Sequence, residues 1–332
     1  MGLRCIVKMS PKIYYCLPTY NEEKNILDCI QSLSSQDINL DVETIICLNG
    51  CTDNTEKKVD IAIKEFPKLN IRKIHSKRGK SYSQNAIINT ISDKTKPLVF
   101  IDADMILKKD CIKILYKELM RVNSLLVVGS WPLPKNLSSK SLFKRLWYEI
   151  FHVRAFHPES EISKNNVLKF KNYVKKYPQP NINPNFEIKS KIYFHGRTFM
   201  IRNAEIFKLP SRKDVADDTF LPNVLHTLFG PGIIRTRYDA IVNYTPYTSL
   251  KTHFNTYRRI FLDKRQIDSK FPIFRESRFY EQTILNWNYI LKQKMKIIFK
   301  FALYALVTRL ENVLFSLLPK KQLHEIWSYN SK

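Results

Sequence analysis

Two short acidic stretches carry the chemistry this chain is best equipped to perform. Leu98-Val99-Phe100-Ile101 is an apolar run that stops at Asp102-Ala103-Asp104. Two carboxylates at the end of a buried strand invite a cation, because Mg²⁺ and Mn²⁺ accept one or two carboxylates with substrate phosphate oxygens and keep several waters. A capped strand end facing solvent is the plain alternative. Asp217-Asp218 opens a helical pattern that runs to about Leu228. A carboxylate there takes the proton of an attacking hydroxyl if it lies within hydrogen-bond reach. Equally, two acids in a first turn stabilise a helix through its macrodipole.

Polar loops follow two further apolar runs. Pro18-Thr19-Tyr20-Asn21-Glu22-Glu23 succeeds Ile13 to Leu17, and Asn49-Gly50-Cys51-Thr52-Asp53-Asn54-Thr55 succeeds Thr44 to Leu48. Asn21 and either Thr52 or Asp53 are candidate helix caps, and a helix start at such a place can also face a phosphate. Arg78-Gly79-Lys80-Ser81 mimics the end of a P-loop, but Ile74 stands where the first glycine is required, so a Walker motif is rejected. No G-x-G-x-x-G occurs among the seven glycines, which leaves a dinucleotide-binding loop unsupported.

The elements that must position these residues read as α/β. Strands are expected at Ile13 to Leu17, Thr44 to Leu48, Ile71 to His75, Leu98 to Ile101 and Leu125 to Gly129. Helical spacing of apolar residues fills the intervals, at Glu22 to Ser34, Asp53 to Glu65, Ser81 to Ile91 and Lys109 to Val122. Such alternation describes a mostly parallel sheet with crossover helices, whose ligand crevice lies beyond the carboxyl ends of the strands. Trp131 to Ser190 reads as a basic excursion containing an amphipathic piece, Ser141 to Val153. Lys191 to Arg202 is strand-like, and the tail from Ser249 looks helical with a net charge of about +10.

With 44% hydrophobic and 26% charged residues, the 332-residue chain suits a folded protein. The net charge of +25 makes a field that attracts phosphates, nucleic acid or anionic lipid. Met1 to Tyr15 carries Arg4, Lys8 and Lys12 with no long apolar run, so neither a signal peptide nor an anchor is expected, and the chain is expected in the cytoplasm. Cys5, Cys16, Cys29, Cys47, Cys51 and Cys111 form no C-x-x-C pair and read as free, buried thiols. Lys296 to Leu318 is the most apolar long stretch, but Lys300, Arg309 and Glu311 interrupt it too often for a membrane span.

Taken in order, the motifs resemble the inverting family 2 glycosyltransferases of the GT-A fold. The resemblance runs from Ile13 to about Ile260 through Pro18-Thr19-Tyr20-Asn21-Glu22, Asn49 to Asp53, Gly79-Lys80 with Asn85, Asp102-Ala103-Asp104, Asp217-Asp218 and Arg258-Arg259. It implies a Rossmann-like nucleotide-sugar-binding domain with a mixed, mostly parallel sheet over residues 10–248, and a basic helical extension over 249–332. It further implies that Pro18, Thr19, Tyr20, Glu22, Asn49, Lys80 and Asn85 line the pocket of a nucleotide-diphospho-sugar, with the base near Thr19 and Asn49 and UDP as the expected carrier. Asp102 and Asp104 match the Mg²⁺ or Mn²⁺ motif, Asp104 being the direct ligand, and Asp218 the catalytic base. Asp217 replaces a common glutamate. Asn255-x-x-Arg258-Arg259 is an altered form of a Q-x-x-R-W element, and a basic solvated helix face is its alternative. His195-Gly196-Arg197 corresponds to the acceptor side.

The implied reaction transfers a hexosyl group to the hydroxyl of a carbohydrate or lipid-linked acceptor, in envelope or polysaccharide biosynthesis. Ser141 to Arg154 and Lys296 to Leu318, the latter with apolar residues weighted to one side and followed by Lys320 and Lys321, suggest peripheral attachment to an anionic, cytoplasmic membrane surface. Packing of that helix on the catalytic domain is the other reading. A basic protein that binds nucleic acid or an anionic surface on an inactive scaffold of the same kind is the competing function, but no nucleic-acid module supports specific recognition.

Overall fold

A computed structural model describes residues 13–161, 194–207, 209, 217–229, 232–247, 249–270 and 285–317. The segment 162–190, the basic residues before 13, Cys5, and Lys320 and Lys321, all named above, lie outside the described residues.

Among the described residues eight strands form one sheet: β1 (Ile13–Thr19), β2 (Val42–Leu48), β3 (Ile71–His75), β4 (Leu98–Ile101), β5 (Ile106–Leu107), β6 (Val127–Pro134), β7 (Thr198–Ile201) and β8 (Ile234–Tyr244). Their order across the sheet is β3-β2-β1-β4-β7-β6-β8-β5. β1, β2, β3 and β4 run parallel, as do β6 and β8, whereas β7 is antiparallel to both β4 and β6. Every residue of β1 is buried, as expected of a central strand covered on both faces.

Successive β1 side chains feed opposite cores. Ile13, Tyr15 and Leu17 pack with α1 (Ile26–Ser34), α2 (Thr55–Glu65) and α4 (Cys111–Arg121). Tyr14 and Cys16 pack with α3 (Lys80–Thr90) and α7 (Asp217–Phe229). The sheet is therefore sandwiched between helices, the α/β arrangement expected from the alternation. Of the cysteines described, Cys16, Cys29, Cys47 and Cys111 are buried and Cys51 half-buried, and none is bridged.

Among the described residues the other α-helices are α5 (Leu142–Phe151), α6 (Val153–Phe156), α8 (Leu250–Lys270), α9 (Trp287–Ile290) and α10 (Met295–Ser316). Phe301 of α10 joins Val153 and Ile290 in a small separate core. Phe254 of α8 meets Phe315 edge-on at 4.8 Å, and His253 faces Glu311 at 3.3 Å in a buried pair.

Three expectations require correction. Asn21 does not cap the first helix: α1 starts only at Ile26, and Asn21 sits in a left-handed turn at φ 50°. β8 was not anticipated, although its buried Ile234, Thr236, Ala240, Val242 and Tyr244 follow a legible strand alternation. α10 is not weighted to one apolar side: Phe301 and Phe315 are buried, whereas Phe299, Leu306, Leu310 and Val313 are exposed on the outside. It packs on the protein and still presents an apolar face.

Candidate active site

The antiparallel insertion of β7 next to β4 builds the site. Thr198 pairs with Ile101, so the chain entering β7 runs past the carboxyl end of β4, where the apolar strand gives way to acids. The Asp102 N–H donates to the Arg197 carbonyl at 2.8 Å, locking the two segments together. Gly196 lies one residue earlier, against the first turn of α7. A Cβ at Gly196 would stand 2.9 Å from Asp217 Oδ1 and 3.0 Å from the Asp218 Cβ, so only glycine fits without displacing the acids.

Lys80, the first residue of α3, collects these parts. Its Nζ lies 2.7 Å from Asp102 Oδ1 and 3.1 Å from Asp217 Oδ2, and donates to the Gly196 carbonyl at 3.0 Å. Gln84, one turn along, donates from Nε2 to Asp217 Oδ2 at 2.7 Å. The Gly196 N–H donates to Asp218 Oδ2 at 3.3 Å. Asp102, Asp217 and Asp218 thus converge from stretches more than a hundred residues apart. Asp217 is 4% exposed, while Asp102, Asp104 and Asp218 are only half-buried.

Charge follows from this enclosure. Burial pushes the Asp102 carboxyl up to about 7 against the pull of Lys80, and the nearby charges of Asp104 and Asp217 act with burial. Burial also raises Asp217, with Lys80 again opposing and Asp218 adding repulsion. For Lys80, burial works to lower the pKa, yet Asp102 and Asp217 more than offset it and hold it above the usual lysine range. The ammonium is a fixed cation at neutral pH.

The adjoining loops are tied to one another. Asn21 Oδ1 accepts from the Thr52 N–H at 2.8 Å, the Glu22 N–H donates to Thr55 Oγ1 at 2.8 Å, and Asp53 Oδ1 accepts from the Thr55 N–H at 3.0 Å. The N-cap of α2 is Asn54, with no side-chain cap hydrogen bond, rather than Thr52 or Asp53; Asp53 braces Thr55, the first helical residue. Tyr20, half-buried, lies under the Arg78 guanidinium, 4.6 Å from its ring centroid. Gly50, at φ 78°, lets the turn pass the Arg78 backbone and Cβ at close range.

A family model described as glycosyl transferase family 2 matches residues 15–208, more than half of the chain, from within β1 to beyond β7. The chain belongs to glycosyltransferase family 2. Similar proteins include the glycosyltransferase GlyG of Streptococcus pneumoniae, 24% identical over 37% of this chain and 40% of GlyG. The glycosyltransferase YfnE of Bacillus subtilis is 30% identical over 34% of this chain and 28% of YfnE. The chain thus spans less than half the length of these relatives. The mannosyltransferase PcManGT of Pyrobaculum calidifontis, solved with GDP-Man and Mn²⁺, superposes with a TM-score of 0.57 at 15% identity, covering 97% of this chain and 85% of that one. That likeness is one of fold, and it agrees with the GT-A architecture.

Within this family 2 member, the residues expected to line the nucleotide pocket divide into two groups. Lys80 and Asp217 join Asp102 directly, and Tyr20, Glu22 and Asn49 lie in the loops beside them. Pro18 and Thr19 are buried, and the Thr19 hydroxyl donates to the Leu17 carbonyl at 3.1 Å. Asn49 is 5% exposed, and its N–H donates to the Thr19 carbonyl at 2.9 Å. Asn85 donates to the Leu209 carbonyl at 3.1 Å. Arg258 and Arg259 lie half-buried on α8, whose described ring contacts include those of Phe254, Tyr257 and Phe261 with Phe315 of α10.

Gln84 and Arg78 carry no functional signal of their own in the sequence, and the reading of His195-Gly196-Arg197 as acceptor side gives no hint that Gly196 packs against Asp217 and Asp218. Gln84 could have been found as the residue one turn after Lys80 on the same face of α3.

Among the described residues, no group of three or more His, Cys, Asp or Glu side chains is arranged to hold a metal ion. The Asp102 and Asp104 pair supplies two hard oxygen donors at a half-buried edge, and Asp102 already accepts from Lys80. Two carboxylates suit Mg²⁺ or Mn²⁺ when phosphate oxygens and water complete the shell, so the pair fits an ion that arrives with a diphosphate.

Proposed function

We propose that the chain is a metal-dependent, inverting glycosyltransferase that moves a hexosyl group from a nucleotide-diphospho-sugar, UDP being the expected carrier, to the hydroxyl of a carbohydrate or lipid-linked acceptor. The observation that carries this reading is the Lys80 bridge between Asp102 and Asp217, which leaves the half-exposed Asp218 beside them as an accessible carboxylate. Asp217, enclosed by Lys80 and Gln84, is a positioning residue; Asp218 is the base.

Asp218 accepts the acceptor hydroxyl proton as that oxygen bonds to the anomeric carbon. The bond from that carbon to the diphosphate oxygen breaks on the opposite face, and the electron pair leaves with the nucleoside diphosphate. One displacement inverts the centre, through a transition state with oxocarbenium character. The positive charge of Lys80 offsets negative charge growing on the leaving group. Asp102 and Asp104 would hold Mg²⁺ or Mn²⁺, which supplies Lewis-acid stabilisation of the diphosphate when bound. Tyr20 under Arg78 offers a flat, cationic wall for the nucleoside.

A thermal-shift panel of nucleotide sugars with and without Mn²⁺ tests the reading, since a ligand of the native state raises the melting temperature by mass action. One nucleotide sugar is expected to shift the midpoint more strongly with Mn²⁺ than without. Absence of a shift with every donor overturns the proposal.

A further inference from the structure

α5 and α10 run side by side in the same direction. Lys300 Nζ of α10 pairs with Glu149 Oε2 of α5 at 2.7 Å, and further along both helices Phe151 of α5 stacks on His253, which lies 3.3 Å from Glu311 of α10. Their amino-terminal ends therefore lie at the same end of the pair. Arg145 and Lys296 each stand one turn before Glu149 and Lys300, toward that end, and with the hydrogen bond from Lys300 they hold the Glu149 carboxyl below the usual range.

Large apolar side chains are displayed there. Leu142 is 77% exposed and Phe143 62% on α5, and Met295 is 79% and Phe299 63% on α10. Trp287 and Leu291, which lead into α10, are exposed as well. A cluster of this kind is costly in water and marks a surface that is covered in use. Exposed cations stand among these residues, Lys140, Lys144 and Arg145 on one side and Lys292, Lys294 and Lys296 on the other.

We propose that the amino-terminal ends of α5 and α10 form one docking surface for an anionic lipid bilayer. Leucine, phenylalanine and methionine side chains enter the acyl boundary, and the ammonium and guanidinium groups meet lipid phosphates. Among the described residues no helix is long and apolar enough to cross a membrane, so the contact is with the surface. A second copy of the chain is a poor occupant, because a two-fold contact sets the same cations against each other. Nucleic acid would pair with the cations but leave Leu142, Phe143 and Met295 in water.

Flotation of the full chain with vesicles of phosphatidylcholine, with and without phosphatidylglycerol, tests this without any sugar donor. Wild type is expected to float with the phosphatidylglycerol vesicles and little with phosphatidylcholine alone. Phe143→Ser and Phe299→Ser, which keep the charge, should each weaken partitioning roughly tenfold, as expected for losing one buried phenyl ring. Lys144→Gln with Lys296→Gln should remove the preference for the anionic vesicles. Absence of wild type from both vesicle types overturns the proposal, as does undiminished flotation of the serine variants. Gel filtration showing a dimer that Phe143→Ser dissolves, with no vesicle binding, assigns the face to a second copy and also overturns it. Asp218→Asn should float as wild type does, so failure of the transfer reading and failure of this one are distinguishable.

Discussion

Gly196 donates its N–H to Asp218 while its Cα faces Asp217 so closely that a methyl group would stand 2.9 Å from the Asp217 oxygen. Both acids are thereby referenced to the chain entering β7, which is itself fixed to Asp102. Gly196→Ala is expected to push α7 and its acids outward. A displacement near 1 Å costs about 10²-fold in rate, so kcat should fall by roughly that factor while the protein stays folded, checked by steady-state kinetics beside a thermal melt.

Asp218→Asn keeps the shape of the side chain and removes its capacity to take a proton. Transfer is expected to slow by about 10²- to 10⁴-fold, with donor binding unchanged in a titration. Retention of full activity assigns proton capture to another group.

Lys80→Met leaves Asp102 and Asp217 facing each other with no counter-charge. A loss of about 2 kcal/mol is expected near neutral pH, less than for a fully buried pair because a third of the Lys80 side chain is open to solvent. Chemical denaturation measures it.

Gln84→Leu strips one donor from the buried Asp217 carboxylate. The expected cost is about 1–3 kcal/mol, that of an acceptor left short of a partner. Urea unfolding checks the stability, and a rate loss with unchanged KM checks the positioning role of Asp217.

His152 gives a pH dependence of stability. It is 2% exposed, with Nδ1 2.8 Å from the Tyr244 hydroxyl and Nε2 3.3 Å from the Tyr247 carbonyl, which suits a neutral ring. Burial pushes it down from 6.5 to about 4, against the hydrogen bond to Tyr247. The unfolded chain therefore takes up a proton that the folded chain refuses as pH falls through that window. Stability is full above the upper value, falls by about 3 kcal/mol on descending through the window, and is flat below it. Urea melts of wild type and His152→Asn across the window should differ in slope; parallel curves remove His152 as the cause.

Much of this architecture was legible because local periodicity reports burial. β3 and β4 appear at the bounds read from their apolar runs, and α1 to α4 differ from expectation mainly at their starts. Those starts moved because Glu22 and Asn54 are held by cross-loop hydrogen bonds, between Glu22 and Thr55 and between Glu23 and Asn54, that no single segment displays. β8 alternates plainly but does not stand out as an apolar run, since Arg235, Arg237 and Tyr238 break up its apolar character. Arg235 and Arg237 pair with the buried Glu118, a partner over a hundred residues away.

The sequence by itself determined that acids follow an apolar strand at Asp102 and open a helix at Asp217, and in what order the loops occur. Those properties are local, set by hydrophobic spacing and residue type. Only the tertiary structure decided that Lys80 binds both acids, that Thr19 is buried while Tyr20 lies under Arg78, and that α10 buries Phe301 yet exposes Phe299. Each depends on which segments pack together, and packing is a property of non-local contacts that periodicity does not encode.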